Sequence, residues 1–453
     1  MIGLVVTLVL FPLAGWCLGR RGIGEAFLFG AGLVGALLFL AGVAHVPLVV
    51  ALGLIGVWIV GSGLWELLRR STRRPNPYPL LPTILMCLPL IALTFVAAIT
   101  PLSDFDGRAF WVLKAKGIAQ ERAIDGPFFR GATLDPRNHY PILIPLDGAV
   151  IFGVAHDSDD RQLRWLYLGL LAAFALLVRE RIGRMVSPTA GAWCAALLVW
   201  IPQFAVEPEG GALSAYSDIA LAAFAAGAFF ELVDAVAGSR GLAVSGCSAP
   251  SSPRDRAIRF GLWLAFLVLT KSEGLPFALI FLVIGAFVFR KRIVIPAITS
   301  VIAALALFVW RARIPAGDEE DILHKLPTIF RKLHHLGDAL AAFPAHIFLF
   351  PRWGLFWIAV VIAAVLAWRV DRSGAKVAIS VIIAMLAVYA GVYIATEWVA
   401  SDLIAVTADR LLMHVIAPAL FLLALGARAE KGERASSPAP DGRLARRWGR
   451  RRT

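Results

Sequence analysis

Apolar runs recur along the whole chain, at about 2 to 18, 24 to 44, 47 to 68, 80 to 100, 162 to 179, 187 to 204, 218 to 237, 293 to 311, 353 to 369, 375 to 396 and 410 to 428. Each approaches the roughly 20 residues that a helix needs to cross a bilayer. Between 260 and 290 lie two shorter runs, broken by Thr270-Lys271-Ser272-Glu273-Gly274. Counted as a pair they bring the total to about thirteen transmembrane helices, and the pattern predicts an all-α polytopic membrane protein. The segment 141–154 is shorter and carries Pro145, Asp147 and Gly148, so it reads as an interfacial helix. The N-terminal run has no charge ahead of it and reads as a first membrane helix, not a cleaved signal.

Charge sets the expected orientation. If 141–154 does not cross, every second connection falls on one side, which then holds 28 of the 44 Lys and Arg and 10 of the 31 Asp and Glu. That side is net +18 against −5 for the other, so the positive-inside rule predicts an outer N-terminus and a cytoplasmic C-terminus. Composition agrees with a membrane chain, at 59% apolar and 17% charged over 453 residues with mean hydropathy +0.76. The net charge of +13 is therefore a matter of membrane lipids, and no nucleic-acid partner is expected. Three N-terminal helices (1–79) precede a membrane module (80–428) with an outer loop at 101–161. A basic tail (429–453) is expected to be disordered and cytoplasmic. Four isolated cysteines give neither a disulfide framework nor a thiol metal site.

The helix interiors are nearly free of charge, and Glu66, Glu231 and Asp234 are expected to snorkel from helix ends. Attention moves to three outer segments. In Ser103-Asp104-Phe105-Asp106-Gly107-Arg108, two carboxylates are followed by cations, an arrangement that suits a base beside an anion site. A helix capped by Ser103 or Asp104 would turn Asp104 and Asp106 apart, leaving at most one as base. Phe110 and Trp111 read either as interface anchors or as sugar-stacking platforms. Lys271 and Glu273 sit at the break between the two short helices, where a spacing of two disfavours a helical ion pair. Arg410 and His414, four apart, share a helix face in Asp409-Arg410-Leu411-Leu412-Met413-His414, with the helix expected to start near Asp409.

Asp-Phe-Asp-Gly-Arg after an early helix, Tyr140-Pro141-Ile142-Leu143-Ile144-Pro145 opening a short interfacial helix, Thr-Lys-Ser-Glu-Gly, and Asp-Arg-Leu-Leu-Met-His with Pro418 occur in that order on the predicted outer side. This order resembles the GT-C superfamily of integral membrane glycosyltransferases, in its bacterial protein O-mannosyltransferase-like and lipid A aminoarabinose transferase-like branch, over about 80 to 428. The chain departs from that layout in its three additional leading helices, and without a large C-terminal soluble domain it is not expected to act on folded protein as an oligosaccharyltransferase does.

The resemblance implies transfer of a sugar from a polyprenyl-phosphate-linked donor to an envelope lipid, glycan or protein acceptor, on the outer face of a bacterial cytoplasmic membrane. It implies Asp104 or Asp106 as catalytic base and Arg108, Lys271 and Arg410 at the leaving phosphate. It puts His139 and Tyr140 in the sugar or acceptor pocket, with Glu273 and His414 among the binding residues. A divalent cation, magnesium or manganese, has room between carboxylate and phosphate, although two aspartates do not define its ligands. The alternative is a lipid-linked glycan flippase or an O-antigen ligase or polymerase. Its site would lie in the loop 311–352, with Arg313, His324, Lys325, Arg331, His334 and His335.

Overall fold

The computed structural model describes residues 2–16, 22–68, 79–131, 137–207, 209–239, 252–316, 350–395 and 400–436, with isolated positions between 332 and 348. The described regular elements are helical. The longer ones are α1 (Ile2–Trp16), α2 (Ile23–Val43), α3 (Leu48–Leu68), α4 (Leu80–Ile99), α5 (Leu113–Glu121), α6 (Leu143–Ala155), α7 (Arg161–Met185), α8 (Pro188–Trp200), α9 (Asp218–Ser239), α10 (Pro253–Thr270), α11 (Gly274–Phe289), α12 (Val294–Arg311), α13 (Phe356–Val370), α14 (Arg372–Ala395), α15 (Ala400–Met413) and α16 (Ile416–Ser436), with a π-helical turn (Gly107–Val112) leading into α5.

A helix occupies each apolar run read from the sequence. Among the described residues five stretches are long and apolar enough to cross a membrane, or six if α15 and α16, bent by 57° at their junction, are taken as one span. The protein is thus an α-helical membrane protein. Other runs form helices of 13 to 15 residues, as in α1, α8 and α13, or continue into charged ends, as in α7. At ~1.5 Å per residue, the 13-residue α6 reaches only ~20 Å. It does not lie open at a surface, since residues 143–152 are all buried among α1, α2, α5 and α7.

The central helix is α9, which packs against α2, α7, α10, α11, α14, α15 and α16. Its sequence is rich in Ala and Gly, and small side chains let neighbouring backbones come close where lipid supplies no hydrophobic drive for helix association. Trp263 of α10 fills the space so created: a Cβ on Gly227 would lie 2.5 Å from its ring, and Phe29 of α2 meets it edge-on at 4.6 Å. The helices α1 and α2 cross so closely that a Cβ at Gly15 or Gly30 would collide with the facing backbone carbonyl. The N-terminal helices therefore share one core with the rest of the bundle.

One end of the bundle is tied by a buried ion network. Arg181 of α7 donates to Glu25 of α2 at 2.7 Å and to Glu231 and Asp234 of α9 at 2.8 and 2.6 Å. Glu231 also accepts from Arg259 of α10. The expectation that Glu231 snorkels to water is corrected here, whereas Asp234 keeps 18% of its side chain exposed. Glu231 is fully buried, because its helix is enclosed on all sides and the cations come to it. The side chain of Glu66, the connection 69–78, the segment 240–251 and the tail beyond 436 lie outside the described residues.

Removing one partner from a buried pair strands the other's charge, at a cost of about 3 to 5 kcal/mol. Arg181→Ala is expected to lower the thermal unfolding midpoint of the purified protein sharply, and Glu231→Gln in the same background should recover part of the loss. An unchanged midpoint in Arg181→Ala would show that the network carries no stability.

Candidate functional site

At the opposite end of the bundle, the acidic segment meets the loop before α9. The helix begins at Phe105, leaving Asp104 just ahead of it, and widens into the π-helical turn at Gly107. Such turns are frequent at functional sites. Gly107 rests against the loop before α9, and a Cβ there would lie 1.9 Å from the Ser214 carbonyl oxygen. This contact turns Asp106 toward the interior of the site.

The two aspartates have different surroundings. Asp106 Oδ2 accepts from Arg137 Nη1 at 3.0 Å and lies 3.9 Å from Arg410 Nη1. Asp104 is half-buried near Arg164, whose guanidinium is itself bonded to the carbonyls of Thr100 and Pro101 at the end of α4. Burial pushes the Asp104 carboxyl above the usual carboxylate range, against the opposing pull of a backbone hydrogen bond and of Arg164. The expected separation of the pair is therefore observed, with Asp106 on the side of Arg410.

Arg410 is largely buried, with 15% of its side chain exposed. Its guanidinium lies over the Tyr216 ring at 5.1 Å, and Nε is 3.9 Å from Glu209 Oε2. It makes no hydrogen bond to a described residue, and Nε is buried without a partner. Gly210 supports it from below at φ +91°, a conformation open to glycine. Burial also raises the Glu209 carboxyl, with Arg410 opposing and Asp106 reinforcing the shift.

Behind this group, two interrupted helices meet at Asp218, the first residue of α9. Lys271, in the break between α10 and α11, reaches Asp218 Oδ1 at 2.9 Å and Glu273 Oε1 at 3.1 Å. The Lys271–Glu273 pair that helical spacing disfavours forms because Lys271 is extended (φ −157°, ψ 158°), and residues two apart then share a side. His414 Nε2 lies 3.4 Å from Asp218 Oδ1, and its Nδ1 faces the Tyr389 hydroxyl in a short contact. The helix carrying Arg410 starts at Ala400, not near Asp409, and His414 sits in the break after Met413. Pro418 has no N–H to give the His414 carbonyl, which is why the helix restarts at Ile416 with the proline in its first turn.

Asp106, Lys271, Glu273, Arg410 and His414 thus surround one region, together with Asp218 and Glu209. Arg108 points elsewhere, toward Asp160 at 3.9 Å, and is 59% exposed. The His139 ring bonds the Ile314 carbonyl at 3.0 Å while the His139 carbonyl accepts from Arg311, so this residue clasps the loop to the end of α12. Tyr140 packs on Trp111 and lies 5.9 Å from the Arg137 guanidinium. Phe110 and Trp111 are both buried, Phe110 beneath Arg137, so neither is an exposed anchor or platform. Arg313 bonds the Val43 carbonyl, and His324, Lys325, Arg331, His334 and His335 lie outside the described residues. Among the described residues no three of His, Cys, Asp and Glu come together to hold a metal ion.

Asp218, Glu209, Tyr216 and Arg137 escaped the sequence reading. An aspartate at the head of an apolar run reads as a helix N-terminal charge, and nothing in sequence links it to Lys271, 53 positions later.

Two outcomes follow. Gly107→Ala should displace the acidic segment from the Ser214 carbonyl and weaken function more than the same change at Gly153, where a Cβ meets open space. Because Asp104 holds its proton more tightly folded than unfolded, its contribution to stability falls as pH rises through the carboxylate range. The melting temperature of Asp104→Asn relative to the unsubstituted protein should therefore rise with pH. A difference independent of pH would deny the shift.

No family model matches the chain, and no curated protein or solved structure does either, so its functional reading rests on the geometry of this site.

Proposed function

We propose that the chain is an integral membrane glycosyltransferase that moves a sugar from a polyprenyl-phosphate donor to an envelope acceptor on the outer face of a bacterial cytoplasmic membrane. The observation that carries this reading is Arg410: a guanidinium mostly withdrawn from water, with no hydrogen bond to a described residue, beside a carboxylate at 3.9 Å. Buried donors without partners call for an explanation, and a phosphate oxygen pair matches the planar fork of an arginine. The charge partition favours about thirteen crossings, with this end of the bundle outside and the Arg181 end in the cytoplasm.

In this reading Arg137 fixes Asp106 through Oδ2, while Oδ1 accepts no bond from a described residue and is free to take a proton. The acceptor hydroxyl gives its proton to Oδ1 as its oxygen bonds the anomeric carbon. The bond from that carbon to the donor phosphate breaks, and the phosphate keeps the electron pair. Arg410 stabilises the charge developing there, in a site where water is scarce and such contacts are strong. Lys271 is paired with Asp218 and His414 lies 3.4 Å from the same oxygen, and both act by holding the two helix breaks in place. Arg108 and His139 are placed away from the transfer.

One observation favours a second reading, a lipid-linked glycan flippase: interrupted helices meeting at buried charges are a feature of secondary transporters. The aspartates separate the two, because transport does not need a base. In a transfer assay with purified protein and a polyprenyl-phosphate sugar, Asp106→Asn should lose about 10² to 10⁴-fold in rate, the usual contribution of a positioned base. Asp104→Asn should have a mild effect. Wild-type turnover in folded Asp106→Asn would refute the mechanism.

Arg410→Lys retains the charge but not the fork, and should still be strongly impaired. Near-normal activity in that variant would remove Arg410 from the phosphate site. Reporters fused after Asn138 or Glu209 should read outside, and after Ala257 inside; an inside reading at Asn138 would end the proposal.

A further inference from the structure

Away from the candidate site, the turn between α11 and α12 carries Arg290-Lys291-Arg292. The chain leaves α11 through Arg290 at φ +51°, ψ −125°, a conformation that ends the helix abruptly and starts a 3-10 turn over Arg290–Ile293. All three cations are exposed. They line one side of a cavity of about 770 Å3, whose remaining walls are Val236, Phe287, Val288 and Phe289.

The nearby carboxylates are already engaged. Glu231 pairs with Arg181 and Arg259, and Asp234 pairs with Arg181. Among the described residues none of the three cations has an ion pair. The apolar wall has the same character. One face of α11 packs inward through Phe277, Ala278, Phe281 and Gly285, and the other presents Leu279, Val283 and Phe287, the last 82% exposed. This outward stripe runs along the most apolar of the candidate spans among the described residues and ends at the cations.

We infer that this cavity is a binding site for one anionic phospholipid, with its phosphate on Arg290, Lys291 and Arg292 and its acyl chains along Leu279, Val283 and Phe287. The volume is that of a small-molecule site. Three cations on one turn at the end of an exposed apolar stripe match a molecule whose negative head is joined to an apolar tail. A free phosphate would use the cations alone.

The test is native mass spectrometry of the full chain in detergent, with phosphatidylglycerol or phosphatidylcholine added in turn. One phosphatidylglycerol should be retained in preference to phosphatidylcholine. Lys291→Gln/Arg292→Gln, which leaves the unusual backbone at Arg290 untouched, should weaken that retention by about 25-fold, taking about fivefold for each cation at a lipid surface. Lys291→Gln alone should give about fivefold and serves where the double variant does not fold.

Arg369→Gln/Arg372→Gln removes two other cations and should leave retention unchanged. Equal loss in that control would show a diffuse charge effect and overturn the site. Displacement of the lipid by inorganic phosphate would assign the cations to free phosphate, and equal retention of both lipids would remove the headgroup from the argument.

Discussion

A carboxylate sealed from solvent has to be met by cations or polar hydrogens, and Asp218 meets them by drawing two broken helices to the head of α9. Lys271 comes from one break and His414 from the other, both to the same oxygen, Oδ1. Neither break would be tolerable alone, since each exposes backbone groups and a titratable side chain in a region with little water. Together they close around one charge. Arg410 is carried into place by the same arrangement, one helical turn before His414, and Tyr389 covers the far side of the imidazole. The position of the candidate site is therefore a consequence of how Asp218 is neutralised.

That dependence explains what could be read from the sequence. The apolar runs had to become helices, because in lipid a continuous apolar segment satisfies its backbone only in that way. The break at Thr270-Lys271-Ser272-Glu273-Gly274 was equally visible: Gly274 backs onto the Leu267 carbonyl, where a Cβ would sit 1.7 Å away, so the chain turns at that point. Asp106 and Arg410 were recognisable as residue types able to perform proton removal and phosphate binding. Their separation of 3.9 Å was not, since it depends on the close seating of Gly107 against Ser214.

What could not be read was partnership over long distances. Glu231 resembled a snorkelling residue because sequence does not reveal that α9 is enclosed by neighbours around that position. His139 and Arg108 had suitable chemistry in a suitable loop, yet one bonds the Ile314 carbonyl and the other, largely exposed, faces Asp160 at 3.9 Å. Periodicity placed Arg410 and His414 on one helical face, and both do lie by Asp218, but it did not foresee the helix end after Met413. The signal was present in Pro418: a proline four residues after His414 removes the hydrogen bond that would have continued the helix.

The helix α9 also bears on which of the two functional readings is physically easier. Asp218 and Glu231 are 13 residues apart, ~20 Å along the axis. At one end the helix is bound through Asp218 to the α10–α11 and α15–α16 junctions. At the other, Glu231 and Asp234 bind it to α7 and α10, with Glu25 of α2 on the same arginine. Alternating access requires groups of helices to move against one another, and a division that parts α9 from α2, α7, α10 or the α15–α16 junction would separate charges in at least one of these clusters. Breaking a buried pair strands its charge, at about 3 to 5 kcal/mol each. A transferase needs no such motion: a lipid-linked donor enters sideways from the bilayer, and the reacting groups at one end remain fixed to a frame braced at the other. The ion clusters at both ends of α9 are therefore more readily understood as the supports of a fixed site than as the gates of a moving one.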